Sequence, residues 1–414
     1  MIKLGKMENA GPYYGKTLEE LEKADLGWSP EEEREIERYC EQIHANCQEE
    51  EMTPMERYKA TFAGKERDRA MIEVDYFATY AVRILDCFAG ALKPLDAYQL
   101  PKLLVKSHLA TTARFKTDTL FCGPLSYGEN LFGCDSKIID YGNPVHIGDP
   151  PIKTVEDLEG LDVPDPDKHA MYPQYLWWLR ESRRIFDKYG LSDLIPIEGS
   201  HCHGPDGFTA GHLLGYNQMM KALRKNPELV QKTIKLATEW QIKLGIAVTN
   251  LGKVDYSYQC GSMGFVPHIE KNLWIADEYR EIGNAIKAAI PADNPIVYAW
   301  AMEGCVEWLP TVWEKNVAGP GSFDGIMVTG DITSYQKIYE FCQEHDMYGS
   351  AAPSDRLMVS GPLSEVEAEV KGRCDCIKKS RTNKCTLSIG AVDYYTSPEH
   401  LDFTINAAKK HGKY

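Results

Sequence analysis

From about residue 190 to its end the chain repeats one pattern, a short apolar run followed by a longer amphipathic one. The runs at 194–200, 254–259, 295–302, 323–329, 347–351 and 386–390 read as strands. Those at 211–224, 227–251, 269–290, 306–315, 334–345, 364–379 and 398–410 read as helices. A strand joined to the next strand through a helix must return in the same direction, so the pattern implies a parallel sheet covered by helices. No glycine-rich dinucleotide turn follows any of the strands, which favours a closed barrel over an open Rossmann sheet. The expected fold is α/β, a single (β/α)8 TIM barrel with an N-terminal helical extension. Residues 1–52 form the extension and 53–414 the barrel.

Upstream of the repeat, residues 17–50 are strongly charged and read as a solvated helical extension, with Ser29-Pro30 a good helix start. Thr53-Pro54 starts another helix, with Thr as cap and Pro at the first position. Residues 71–77 read as a strand and 78–92 as a helix. The stretch from Phe132 to Pro166 is a connector. It holds the pair Pro150-Pro151 and then a short helix from Thr154, with Asp157 completing a capping box and Pro164 ending it.

The formal net charge of −15 disfavours nucleic acid or an anionic membrane as partner, since both need a basic face. No apolar run approaches the ~20 residues that span a bilayer. The start of the chain, MIKLGKMENAG, lacks an apolar signal core, so a cytoplasmic protein is expected. In that compartment the 12 cysteines read as reduced thiols, and the Cys374/Cys376 pair as incidental.

In a barrel the chemistry sits where strands end and loops begin. The strand ends carry His201, Cys202 and His203, then Gln259 and Cys260, then Trp300, Glu303 and Cys305, then Asp331, then Asp393 and Tyr394. Sulfur, imidazole and carboxylate are the ligand types zinc takes, so the barrel mouth is a candidate metal site. If the strand continues, His201 and His203 share one side and Cys202 takes the other. Tyr256, Tyr258, Trp300 and Tyr394 suggest a pocket for a flat aromatic substrate.

The connector, together with Thr53-Pro-Met-Glu-Arg-Tyr-Lys-Ala-Thr-Phe-Ala-Gly-Lys, resembles the uroporphyrinogen decarboxylase superfamily. Further matches follow in order: Asn226-Pro-Glu-Leu-Val, Asp255-Tyr-Ser-Tyr-Gln-Cys-Gly, Gly325-Ile-Met-Val-Thr-Gly-Asp331, and Thr396-Ser-Pro-Glu-His-Leu, with His400 at a usual Asn. The decarboxylase's arginine-rich R-Q-A-G-R loop is missing. The coenzyme M methyltransferases of this superfamily hold zinc with a His-x-Cys-Gly, and here Ala301 and Glu303 occupy those two places. The resemblance therefore implies the branch that moves a methyl group from a small donor to a corrinoid protein. It implies cobalt(I) on a separate, transiently docked corrinoid protein as acceptor, and with the aromatic strand ends and the ligand types there it points to an aryl methyl ether as donor and zinc as metal. His203, Glu303 and Asp331 are then the expected catalytic residues. His201, Tyr256, Tyr258, Gln259, Trp300, Asp393 and Tyr394 would bind substrate, and Glu303, Cys305 and Cys260 the metal. A homodimer is compatible with this reading. A methyl-corrinoid:thiol methyltransferase and an inactive binding barrel are the alternatives.

Overall fold

Eleven strands and their connecting helices are seen in the computed structural model of the chain, which describes residues 1–24, 26–76, 78–85, 96–123, 128, 130–139, 145–201, 204–261, 274–300, 309–328, 335–352, 355–380, 383–392 and 394–414. In chain order they are β1 (Met7–Glu8), β2 (Ile72–Tyr76), β3 (Leu120–Cys122), β4 (Asp135–Lys137), β5 (Val145–Ile147), β6 (Ile197–His201), β7 (Tyr256–Gly261), β8 (Ile296–Trp300), β9 (Gly325–Val328), β10 (Tyr348–Ala351) and β11 (Cys385–Val392). Eight of them form one sheet in the order β2-β11-β10-β9-β8-β7-β6-β3, and every pairing in it is parallel. This is the expected (β/α)8 barrel, nearly closed. The strand between 386 and 390 is longer than its apolar run, and pairs with β2 through an irregularity between Ile389 and Val392.

The two end strands, β2 and β3, are joined through Asp118, which uses both its side chain and its backbone. Ile72 N donates to Asp118 Oδ2 at 2.7 Å, and Asp118 N donates to Ile72 O at 3.3 Å. Asp118 also takes Arg57 Nη1 at 2.7 Å and Arg69 Nη1 at 2.6 Å, all three residues being buried. Burial alone would raise this carboxyl. The two guanidinium groups more than offset that and hold it well below the usual carboxylate range.

The floor of the barrel is an aromatic plug. Helix Pro54–Phe62 starts as expected, with Thr53 accepting from Glu56 N, the Glu56 carboxylate returning to Thr53 N, and Pro54 at the first position. It sets Tyr58 on Tyr256 with ring centres 5.3 Å apart, and Phe62 on Tyr348 at 4.8 Å.

Two expectations for the N-terminal half change. Helix Pro30–Gln48 is not a solvated appendage: Ile36, Cys40, Ile43 and Cys47 recur at helical spacing and join the main core. Its charge is confined to the other face, which is what made the segment look solvated. In the connector, Asp157 Oδ2 accepts from Lys153 N and Thr154 N, both at 2.8 Å, and only a 3-10 turn over Glu156–Leu158 follows. The connector instead contributes β4 and β5, which with β1 make a small separate sheet. Among the described residues no helix is long and apolar enough to cross a membrane. Cys40, Cys47, Cys122, Cys134, Cys342, Cys374, Cys376 and Cys385 are free thiols.

Candidate active site

Strand alternation decides which residues face the barrel lumen. Glu73 of β2 fixes the phase, because it bonds across the interior to strands that are not its neighbours. It accepts from Tyr348 at 2.6 Å, Ser350 at 3.1 Å and Tyr256 at 3.1 Å, and from Thr386 of the adjacent strand at 2.8 Å. Asp75, two residues on, faces the same way, about 7 Å nearer the mouth. It is the next-to-last residue of β2, where catalytic groups of such barrels are placed. From β6, Glu198 enters the same space and accepts from Tyr256 at 2.6 Å.

Tyr256 has one proton for two carboxyl groups, so Glu73 and Glu198 are joined through a single hydroxyl. Burial raises all three acids. Glu73 is raised despite its four hydroxyl donors. Glu198 is pushed well above the usual range by burial and by the charges of Glu73 and Asp75. Asp75 is pushed up to about 8 by burial and by Glu73. No lysine or arginine occurs in any of the eight barrel strands, so no cation on them offsets this. Of the three, Asp75 at about 8 holds its proton near neutral pH and can serve as a donor.

The expected site residues are distributed differently. His201 and Gln259 lie on the outer face, between the sheet and the helices. His201 Nδ1 donates to Gln259 Oε1 at 2.6 Å, and Nε2 accepts from Ser257 Oγ at 3.2 Å. Burial lowers this imidazole to about 4, so it is neutral and occupied. The apolar run that predicted a strand over 194–200 is displaced: the strand is Ile197–His201, with Glu198 inward and His201 therefore outward. Tyr256 is the first residue of β7 and so belongs to the floor, not to a pocket at the mouth. Tyr258, one layer higher, stacks on Phe121 with ring centres 6.1 Å apart and planes 9° apart. Tyr394 follows β11, with the Arg83 guanidinium 5.4 Å from its ring centre. His203, Glu303, Cys305, Asp331 and Asp393 lie outside the described residues, as do the side chains of Cys260 and Trp300. Among the described residues no group of three or more His, Cys, Asp or Glu is placed to hold a metal ion.

Glu73, Asp75, Glu198 and Tyr348 were not among the expected site residues. The signal was present in Ile72-Glu-Val-Asp-Tyr76, whose acids alternate with apolar residues at strand spacing. It lies upstream of the regular strand–helix repeat that starts near residue 190.

A parallel eight-stranded barrel whose lumen carries buried acids and aromatic rings defines an enzyme-type (β/α)8 barrel with its site at the strand C-termini. The profile of the uroporphyrinogen decarboxylase (URO-D) family matches residues 53–411, and the chain belongs to that family. Among solved structures, a methyltransferase from Methanosarcina mazei shares the fold, with a TM-score of 0.64 and 18% identity, covering 87% of this chain and 99% of that one. Xylanase B from Clostridium stercorarium F9 matches with a TM-score of 0.32 and 12% identity over 50% of this chain and 70% of its own, too weak a likeness to bear on the argument. No curated protein sequence matches the chain significantly.

Proposed function

We propose that this protein is a methyltransferase that moves the methyl group of an aryl methyl ether to the cobalt(I) of a separate corrinoid protein. The observation that carries the reading is the make-up of the lumen. Its walls bear three carboxyl groups that burial raises above the ordinary carboxylate range, the stacked pair Tyr258–Phe121, and no lysine or arginine from any strand. A polycarboxylate such as a porphyrinogen would meet no cation on these walls and would pay a large desolvation cost. A neutral aromatic ether can stack its ring and accept a hydrogen bond there. The fold likeness to the Methanosarcina methyltransferase supports the class of reaction.

Transfer needs the aryl oxygen to leave with a bonding pair, so the developing charge must be met by a cation or a proton. Glu303, His203 and Asp331 are the proposed groups at the strand ends. Cys260 is the next-to-last residue of β7 and pairs in register with Ala299 of β8, while Glu303 and Cys305 follow β8 in sequence. Two thiolates and a carboxylate form a zinc donor set, and zinc bound there would polarise the ether oxygen. Ala301 and Glu303 at the places of a His-x-Cys zinc motif speak against the thiol-methylating alternative.

The test is demethylation of a methoxyphenol by the purified protein, with and without a candidate corrinoid protein reduced to cobalt(I). Turnover should require the corrinoid protein. Equal turnover in both tubes would overturn the reading.

A further inference from the structure

Asp75 is the one inner-face acid of β2 that Glu73's hydroxyl partners do not reach. Glu73 below it is held by Tyr348, Ser350, Thr386 and Tyr256, so its orientation is fixed. Asp75 has no such holders: its Oδ1 is buried without a hydrogen-bond partner, and the residue is 8% exposed. On the adjacent strand, Ser388 pairs in register with Glu73, and its fully buried Oγ is also without a partner. By alternation from Thr386, Ser388 faces the same lumen. Two buried polar atoms are left unmatched on neighbouring strands, Asp75 Oδ1 near the mouth-side end of β2 and Ser388 Oγ at the level of Glu73 below it, and both are costly unless something else engages them.

The titratable groups that face this position from the surrounding strands are Glu73 below, Glu198 from β6, Tyr256 and Tyr258 from β7, and Tyr348 from β10. Among the described residues none of these is a base, and burial together with the charge of Glu73 disfavours ionisation of Asp75. His201 is turned to the outer face. The environment therefore suits a proton donor and not a carboxylate that binds a cation or activates a nucleophile.

We propose that Asp75 is the acid that gives its proton to the aryl oxygen as the methyl group leaves. This rests on the aryl-ether reading given above. The electron pair on cobalt(I) forms the cobalt–methyl bond, the carbon–oxygen pair goes to the aryl oxygen, and the Asp75 proton is transferred to that oxygen. The products are methylcobalt(III), a phenol and the Asp75 carboxylate. The carboxylate recovers a proton from solvent before the next turnover. Glu73 is a positioning residue in this scheme: it keeps the neighbouring carboxyl neutral and does not touch substrate.

The experiment compares two ethers, guaiacol, whose phenolate is a poor leaving group, and p-nitroanisole, whose nitrophenolate leaves without help. Free cob(I)alamin in excess serves as acceptor, and its absorbance reports transfer. Asp75→Asn should slow guaiacol about 100-fold and p-nitroanisole by less than about tenfold. Asp75→Glu should recover part of the guaiacol rate. In the wild type, guaiacol turnover should fall above about pH 8, with p-nitroanisole turnover unaffected there. Guaiacol turnover by a folded Asp75→Asn within about threefold of wild type would overturn the proposal while leaving the methyltransferase reading standing. Should that variant not fold, the wild-type pH profiles decide, and identical profiles for the two ethers overturn the proposal. Wild-type protein that demethylates neither ether, with free cob(I)alamin or with a corrinoid protein reduced to cobalt(I), refutes the methyltransferase reading itself.

Discussion

Asp75 makes opposite contributions to catalysis and to stability. Its carboxyl lies near 8 in the folded protein and near the ordinary value of 3.8 when unfolded. Between those limits the folded state binds the extra proton, so stability is full below about pH 4 and is lost progressively as pH rises toward about 8. Asp75→Asn cannot ionise and should remove that loss. Thermal melts from weakly acidic to alkaline pH should show the variant gaining on wild type as pH rises; parallel curves would show that Asp75 is not held neutral. Glu303 calls for a different measurement. If it acts on the ether oxygen, Glu303→Ala should lower turnover about 100-fold or more and change unfolding free energy by less than about 1 kcal/mol. Full activity in that variant would remove Glu303 from the site.

Among the elements, the join between β2 and β3 concentrates buried ion pairs. Asp118 stands between the two strands and holds Arg57 and Arg69, which also reach Glu50 and, for Arg57, Asp68. Removing one partner of a buried pair strands the others. Asp118→Ala should cost about 3–5 kcal/mol in urea unfolding, since two buried guanidinium groups lose their main acceptor. A cost below about 1 kcal/mol would mean that the barrel closes without this residue. The same carboxyl makes stability acid-sensitive. Its folded value is depressed, so its contribution is present above the ordinary carboxylate range and is lost as pH falls through the folded value. Falling pH thus weakens the seam, while rising pH toward about 8 weakens the lumen.

At the scale of the whole molecule, the barrel presents its site at one end. The other end is closed by Tyr58 and Phe62 against Tyr256 and Tyr348. On the proposed reading, a bulky methyl acceptor approaches from the strand C-termini. The proposed corrinoid protein must dock there and leave again for the methyl group to be passed on, which requires a weak and small interface. Mixing the two proteins at micromolar concentration should give turnover without a complex that survives gel filtration. A stable complex that is itself the active species would contradict the transient encounter.

Several features follow from the sequence alone. The alternation of apolar and amphipathic runs after residue 190 is enough for a helix-covered parallel barrel, because period and length are local properties. Thr53, Pro54 and Glu56 specify a helix start within four residues, and the structure shows that cap. The family is legible too, and the profile match over residues 53–411 bears it out. The facing of side chains was not legible. A strand shifted by one residue turns its whole inner set outward, and the apolar run at 194–200 does not mark which phase β6 takes. The phase β6 takes puts His201 behind the sheet and Glu198 inside it, and the phase of β7 puts Gln259 beside His201. Nor could sequence spacing show that Glu73 meets Tyr256, Tyr348 and Thr386, which lie 183, 275 and 313 residues away along the chain. Only barrel closure brings them together, and the same closure removes water from three carboxyl groups at once. Their titration is therefore a property of the tertiary structure and of no segment by itself.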